Sequence, residues 1–184
     1  MMKELSLNIL DIAENSVKAG ASLIEIFITE RGNSRELVIR DDGCGMSKEM
    51  VETVTDPFTT SRTTRPVGMG IPLLKLAAEQ TGGHIEISSS QGSDHGTRVC
   101  AQFFTDHIDC VPLGDLASTM VTLIQGSPNL DFSLVYDTEE GKKNLDTREM
   151  REILGEDVPL DSPSVLMWVA ELIREPFEPE NATE

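Results

Sequence analysis

Four polar side chains near the amino terminus recur at helical spacing. They are separated by three, four and three residues, and they are Asn8, Asp11, Asn15 and Lys18. Residues three and four apart lie on one side of an α-helix, so a carboxylate, two carboxamides and an ammonium group are predicted to share a face. Carboxylate and carboxamide oxygens suit Mg²⁺, and an ammonium group suits a phosphate. The alternative is a polar helix face that simply meets water.

A second polar feature follows a predicted strand, where Asp41, Gly43 and Gly45 alternate with other residues. Glycine permits backbone paths and close ligand approach that a side chain would obstruct. An aspartate fixed at such a point can accept a hydrogen bond from an exocyclic amine such as that of adenine. The alternative is an ordinary glycine turn after a strand.

A third feature is the run Gly68, Met69 and Gly70 directly before a predicted helix. Free backbone N–H groups and the positive end of the helix dipole make an anion site at such a point. A short glycine motif of this kind is common, so it gains weight only beside the other two features.

Apolar periodicity predicts the elements that position these residues. The amino-terminal part reads as a helix at 5–19, strands at 22–30 and 36–40, a short helix capped by Ser47, a long loop at 55–70, a helix at 72–81 and strands at 85–89 and 97–104. The remainder reads as a helix at 115–125, a hairpin at 132–136 and 142–145, and two helices, the last capped by Ser162.

Charge and composition exclude several classes of function. The net charge is −17, and residues 105–184 carry 18 acidic against 5 basic side chains, whereas residues 1–104 carry 14 against 10. This balance opposes general binding to nucleic acid or to anionic lipid.

Cys44, Cys100 and Cys110 have neither zinc-site nor disulfide-framework spacing. No segment resembles a membrane span or signal peptide, so a cytoplasmic protein is expected.

Together and in this order the motifs resemble those of the GHKL superfamily of ATP-binding proteins, which includes type II topoisomerases, heat-shock chaperones, histidine kinases and the MutL mismatch-repair proteins. The resemblance covers residues 5–104. It rests on residues 14–21 (ENSVKAGA) as the N box, 41–46 (DDGCGM) as the first glycine box, 56–62 (DPFTTSR) as the kinase F box, 68–73 (GMGIPL) as the second glycine box, and 82–85 (GGHI) with 96–97 (GT) as the closing pattern.

This resemblance implies an α/β fold, namely the Bergerat two-layer α/β sandwich with a mixed sheet, for residues 1–104. Residues 105–184 are expected to add a small acidic α+β extension of unknown role. In the nucleotide site, Asn15 would ligate Mg²⁺ and Asp41 would hold the adenine amine of ATP. Gly43, Gly45 and Met46 would form the base pocket, and Thr97 would assist at the adenine. The segment 55–70 would be the ATP lid. The implied phosphate contacts are Lys18, Thr59, Thr60, Arg62, Gly68, Met69 and Gly70.

Two residues depart from the superfamily pattern. Hydrolysing members have a general-base glutamate four residues before the N-box asparagine, and here that position is Asp11. The shorter carboxylate remains a candidate general base, but its reduced reach predicts slow hydrolysis or none. Pro72 stands where kinases have the third glycine of the second glycine box, and proline stiffens the hinge of a lid.

A narrower resemblance concerns residues 112–115 (PLGD) and 145–149 (LDTRE), which are similar to stretches of small bacterial ATP-binding proteins encoded near iron-hydrogenase subunits. It implies a protein partner, for which a hydrogenase-related protein is a candidate. The leading interpretation is an ATP-controlled interaction or regulatory module. The alternatives are a protein kinase acting in trans, as anti-sigma-factor kinases do, a slow ATPase, and a Bergerat fold that has lost its nucleotide. The sequence does not predict an oligomeric state.

Overall fold

The computed structural model describes residues 3–55 and 69–177. The helices in these ranges are α1 (Leu5–Lys18), α2 (Lys48–Val54), α3 (Gly70–Gln80), α4 (Leu116–Gly126), α5 (Thr147–Leu154) and α6 (Pro163–Arg174). The strands are β1 (Leu23–Arg31), β2 (Ser34–Asp41), β3 (His84–Ser90), β4 (Gly96–Phe104), β5 (Asp131–Thr138) and β6 (Gly141–Asp146). Within these ranges no helix is long and apolar enough to cross a membrane.

The strands form one mixed sheet in the order β3-β4-β2-β1-β5-β6. Strands β1 and β5 run parallel, and every other neighbouring pair in this order is antiparallel. The predicted α/β sandwich with a mixed sheet is therefore confirmed. The strands beyond residue 105 join the sheet of the first 104 residues, and the two parts share this layer.

Strand β1 illustrates how the sequence builds the sandwich. Ile24, Ile26 and Ile28 are fully buried, whereas Glu25 and Phe27 between them are partly exposed. Side chains alternate between the two faces of a strand, and β-branched residues fit the pleated surface. Burial of each isoleucine contributes roughly 1.5–3 kcal/mol, so this alternation fixes which face of the sheet receives the helices.

The helices and the inner face of the sheet share one hydrophobic core. Ile9 of α1, Leu74 of α3, Met120 of α4 and Val169 of α6 all belong to it, and each is fully buried. Helix α4 packs against both α1 and α6. The core therefore runs from the amino-terminal helix to the carboxy-terminal one.

The first turn of α1 is completed by the segment that follows β4. Leu5 N donates to Pro112 O at 2.9 Å, and Ser6 N donates to Leu113 O at 2.8 Å. Thr119 Oγ1 donates to Ser6 O at 3.1 Å. The first N–H groups of a helix have no partner inside the helix, and here distant carbonyl groups supply the partners.

The predicted helix starts agree only in part with those of the structure. Ser47 caps α2 as predicted, because its Oγ accepts from Met50 N at 3.2 Å. Helix α3 begins at Gly70, two residues before the predicted start at Pro72, since a proline is tolerated within the first turn. Ser162 occupies the N-cap position of α6 as predicted, but its buried Oγ makes no capping bond and has no partner among the described residues.

Candidate functional site

Asp41 lies at the end of β2, where its carboxylate is held from two sides. Ser16 Oγ of α1 donates to Asp41 Oδ2 at 2.6 Å, and Gly43 N donates to Asp41 Oδ1 at 2.9 Å. A carboxylate offers about four lone-pair sites, so acceptor capacity remains after these two bonds. Asp41 is therefore fixed in orientation and still able to receive a donor from a ligand.

Asp42, the next residue of this turn, has a different structural role. Its Oδ1 accepts from Ser22 N at 2.7 Å and from Leu23 N at 2.9 Å, and its Oδ2 accepts from Ser22 Oγ. Burial raises the pKa of Asp42, but the hydrogen bonds from Ser22 and Leu23 outweigh that effect, and the pKa lies below its ordinary value. Asp42 thus anchors the turn to β1, and Asp41 is the carboxylate directed to α1.

Ser89 joins the first glycine box to Thr97. Its Oγ donates to Gly96 O at 2.9 Å and accepts from Met46 N at 2.8 Å. The single hydroxyl hydrogen of Ser89 is then used, so Thr97 Oγ1, 2.8 Å away, is the donor of that pair. Thr97 keeps its lone pairs, and it lies directly opposite Asp41 in the register of β2 and β4.

The chain approaches itself closely at the two glycines of the turn after β2. A Cβ on Gly43 would lie 3.0 Å from Ala19 Cβ, and one on Gly45 would lie 1.8 Å from Ser90 O. Gly45 also has a φ of +71°, which other residues rarely adopt. The sequence predicts close ligand approach at these glycines, and the structure adds a reason in packing.

Two further bonds hold the same turn in place. Cys44 N donates to Ala19 O at 2.9 Å, which ties the turn to the end of α1. His95 Nδ1 lies 2.8 Å from Gly43 O and can donate to it in the tautomer protonated at Nδ1. The turn that bears Asp41 is therefore fixed by α1 on one side and by the β3–β4 connection on the other.

Asp11, one member of the polar stripe of α1, lies against the start of α3. A Cβ on Gly70 would lie 2.7 Å from Asp11 Oδ2, so the carboxylate would have to shift if any other residue stood here. Asn15 is half-buried, and its Nδ2 is buried with no hydrogen-bond partner in the described ranges. Lys18 is exposed and forms no ion pair with another described residue.

These groups fit a nucleotide accompanied by Mg²⁺. The Asn15 carboxamide offers a hard oxygen to the cation, and its unpartnered N–H₂ group calls for an acceptor, which a phosphate oxygen would be. Met69 and Gly70 lie at the first turn of α3, where N–H groups lack partners within the helix. Thr59, Thr60, Arg62 and Gly68, which complete the predicted phosphate contacts, lie outside the described residues.

A cavity of about 400 Å³ opens beside the same strand ends. Its walls include Glu25, Arg40 and Arg98, which alternate with the buried residues of their strands. Arg40 Nε lies 3.8 Å from Glu25 Oε2 across this surface. Asp41, Ser89, His95 and Thr97 of the site described above also line this cavity, whereas no residue of α1 does. The cavity therefore adjoins that site at the ends of the strands.

Sequence reasoning missed three residues of this site, namely Ser16, Ser89 and His95. Ser16 lies on the apolar face of α1, and a hydroxyl among buried residues is a signal that it has a polar partner. Ser89 shares an inward-facing row with Ile85 and Ile87, which is a similar signal in a strand. His95 offers no such signal, because its partner is set by the path of the β3–β4 turn.

The family model described as histidine kinase-, DNA gyrase B-, and HSP90-like ATPase matches residues 2–107. The DNA mismatch repair protein MutL of Rhodopseudomonas palustris (strain HaA2) is 40% identical to the chain over 52 residues, which make up 28% of this chain and 8% of MutL. The chain spans 15% or less of the length of the curated relatives that it matches.

Two solved structures extend the similarity beyond the family match. The Aquifex aeolicus MutL ATPase domain complexed with ADP has a TM-score of 0.54 and 14% identity, covering 84% of this chain and 70% of that chain. The N-terminal domain of a DNA repair protein has a TM-score of 0.54 and 16% identity, covering 79% of this chain and 52% of that chain. At such identities the likeness is one of fold, and its coverage reaches past residue 107.

Proposed function

We propose that the chain, which belongs to the family of histidine kinase-, DNA gyrase B- and HSP90-like ATPases, binds ATP with Mg²⁺ between α1, the end of β2 and the start of α3. The observation that carries this proposal is the fixed carboxylate of Asp41. Ser16 and the backbone of Gly43 orient it, and it keeps acceptor capacity for an adenine amine. Thr97 lies across the ladder from Asp41 and supplies a second polar group at the base.

The phosphate end of the nucleotide is assigned to the polar stripe of α1. Asn15 offers an oxygen to Mg²⁺, and Lys18, which is exposed and has no ion-pair partner among the described residues, would meet a phosphate. Bound Mg²⁺ would neutralise phosphate charge. Met69 and Gly70 contribute the start of α3, and Gly68, Thr59, Thr60 and Arg62 are proposed as further phosphate contacts on the strength of the sequence motifs.

The biological role that we propose is a nucleotide-controlled interaction or regulatory module. Asp11 is the carboxylate available for activating water, but it is one methylene shorter than the glutamate that hydrolysing relatives use. In this role, ATP binding would change a protein-facing surface of the chain. The partner is proposed to be a protein, and the likeness to hydrogenase-associated proteins remains a prediction.

Asp11 places a carboxylate against the start of α3, and this carboxylate supports two alternative functions. One is a slow ATPase, in which Asp11 activates water. The other is a protein kinase acting in trans, in which it accepts the proton of a hydroxyl on a second protein. Both require the same nucleotide site as the regulatory module.

Incubation of the pure chain with γ-labelled ATP and Mg²⁺, alone and with cell extract, separates the three functions. Free labelled phosphate indicates an ATPase, and a labelled second protein indicates a kinase. Bound ATP without transfer supports the regulatory module. The Asp41→Asn variant is the control, since it should lose all three signals if they arise in this site. A wild-type chain that does not bind ATP contradicts the proposal as a whole.

A further inference from the structure

Asn8 is buried more deeply than a polar stripe facing water would allow. Its side chain is 0% exposed, and within the described ranges neither Nδ2 nor Oδ1 has a hydrogen-bond partner. It lies one turn before Asp11 and two turns before Asn15. At about 100° per residue, a separation of seven residues brings Asn8 to within roughly 20° of Asn15 around the helix.

Other buried polar side chains of this region have partners. Ser6 Oγ donates to Glu4 Oε1 at 2.9 Å, Ser16 Oγ donates to Asp41, and Thr119 Oγ1 donates to Ser6 O. On α1 the buried side-chain atoms without partners in the described ranges belong to Asn8 and Asn15. Both share the helix stripe of Asp11, which lies against the start of α3. A buried carboxamide has given up its hydrogen bonds to water, so a partner supplied by a ligand would recover free energy.

The direction of α1 relative to the site identifies which part of a nucleotide Asn8 would meet. Ser16 marks the adenine end through its bond to Asp41, and Asp11 marks the phosphate end through its approach to Gly70. Asn8 lies a further ~4.5 Å along the helix axis beyond Asp11, at 1.5 Å per residue. It is therefore on the side of the terminal phosphate.

We infer that Asn8 is an additional binding residue of the nucleotide site, which serves the terminal phosphate of a nucleoside triphosphate. Its N–H₂ group donates to an oxygen of that phosphate or of a water molecule bound to it, and its carbonyl oxygen accepts from the same water. This inference rests on the proposed ATP site. Its consequence is selectivity, because Asn8 should favour a triphosphate over a diphosphate.

The test compares the affinities of a triphosphate and a diphosphate for the full chain. Isothermal titration calorimetry with Mg²⁺ and either β,γ-imido-ATP or ADP is applied to the wild type, Asn8→Leu and Asn8→Ala. We expect both variants to bind the triphosphate about tenfold more weakly, or ~1.4 kcal/mol, and to bind ADP within about twofold of the wild type. The leucine replaces the carboxamide without leaving a cavity, and the alanine avoids overpacking.

Ser162→Ala is the matched control, because it also removes a buried polar atom without a partner in the described ranges, at the N-cap of α6 rather than on α1. It should leave both affinities unchanged. Equal losses for triphosphate and ADP, no loss for either, or failure of both Asn8 variants to fold would overturn the inference and assign Asn8 to the structural core. A wild type that binds neither ligand would overturn the proposed function as well, so the two failures are distinguishable.

Discussion

The hydroxyl of Ser16 donates to Asp41 Oδ2 across 2.6 Å, and this bond joins α1 to the end of β2. Ser16 is buried, and Asn15 next to it carries the carboxamide proposed for Mg²⁺. The helix therefore contributes to both ends of the proposed nucleotide, with one residue supporting the adenine contact and its neighbour facing the phosphates. A ligand that binds Asp41 would therefore also affect the position of α1.

Asp41→Asn should remove most of the rise in melting temperature that ATP and Mg²⁺ produce. A ligand that binds only the folded state adds RT ln(1 + [L]/Kd) to stability. The amide nitrogen of asparagine would replace one acceptor oxygen, and Gly43 N would use the other. We expect a loss of about 2 kcal/mol in ATP binding, measured by differential scanning fluorimetry. Asp42→Asn is the control and should retain the ATP response. An unchanged response in Asp41→Asn would refute the adenine assignment.

Asn15→Ala should weaken binding of ATP mainly in the presence of Mg²⁺. The substitution removes the oxygen proposed for the cation, and we expect about a tenfold loss in affinity, or ~1.4 kcal/mol. Titration of ATP at several Mg²⁺ concentrations measures it. Glu14→Ala is the matched control, because Glu14 is the adjacent exposed residue of the same helix. Equal affinities of Asn15→Ala and wild type at saturating Mg²⁺ would rule out Asn15 as a ligand.

Asp11→Glu should raise a weak ATPase activity. The longer carboxylate restores reach to an attacking water, and a gain near tenfold corresponds to only ~1.4 kcal/mol of barrier. Steady-state phosphate release from wild type, Asp11→Glu and Asp11→Asn measures the effect. If Asp11 instead positions Asn15, the glutamate should crowd the metal site and lower ATP affinity with no gain in turnover. A brisk wild type that tolerates Asp11→Asn would show that Asp11 is not the base.

Asp42 should make stability depend on pH in the acid range. Because its pKa is lowered in the folded chain from the ordinary value of 3.8, the unfolded chain binds the proton more readily. The stabilisation is therefore present above 3.8 and is lost as the pH falls through the lower folded pKa. In urea unfolding between about pH 3 and about pH 7, the difference in stability between wild type and Asp42→Asn should shrink toward the acid end. A constant difference would contradict the anchoring role of Asp42.

Local patterns were sufficient to predict much of this architecture. The alternation of Ile24, Ile26 and Ile28 predicts a strand with one buried face, and the apolar spacing of α1 predicts its packing side, because both depend only on the repeat of the element. The hairpin of β5 and β6 is equally local. The first glycine box could be recognised because its residue types and order are characteristic.

Features that depend on distant packing could not be predicted in the same way. The parallel pairing of β1 with β5 joins segments about a hundred residues apart. The full burial of Asn8 reflects how α1 is covered by its neighbours, and its spacing alone equally suited a face in water. The role of Ser89 depends on the register of β3 against β4, which brings it beside Thr97. A one-residue shift would direct Ser89 away from the core face.

The bonds from Leu5 and Ser6 to the carbonyl groups of Pro112 and Leu113 determine where this chain can be shortened. A recombinant fragment ending at residue 107, the limit of the family match, would keep every sequence motif of the nucleotide site. It would nevertheless free the starting amides of α1, remove α4 from the side of that helix and leave β1 as an exposed sheet edge. The smallest useful expression unit is therefore set by hydrogen bonding across the chain and extends well beyond the recognisable motifs.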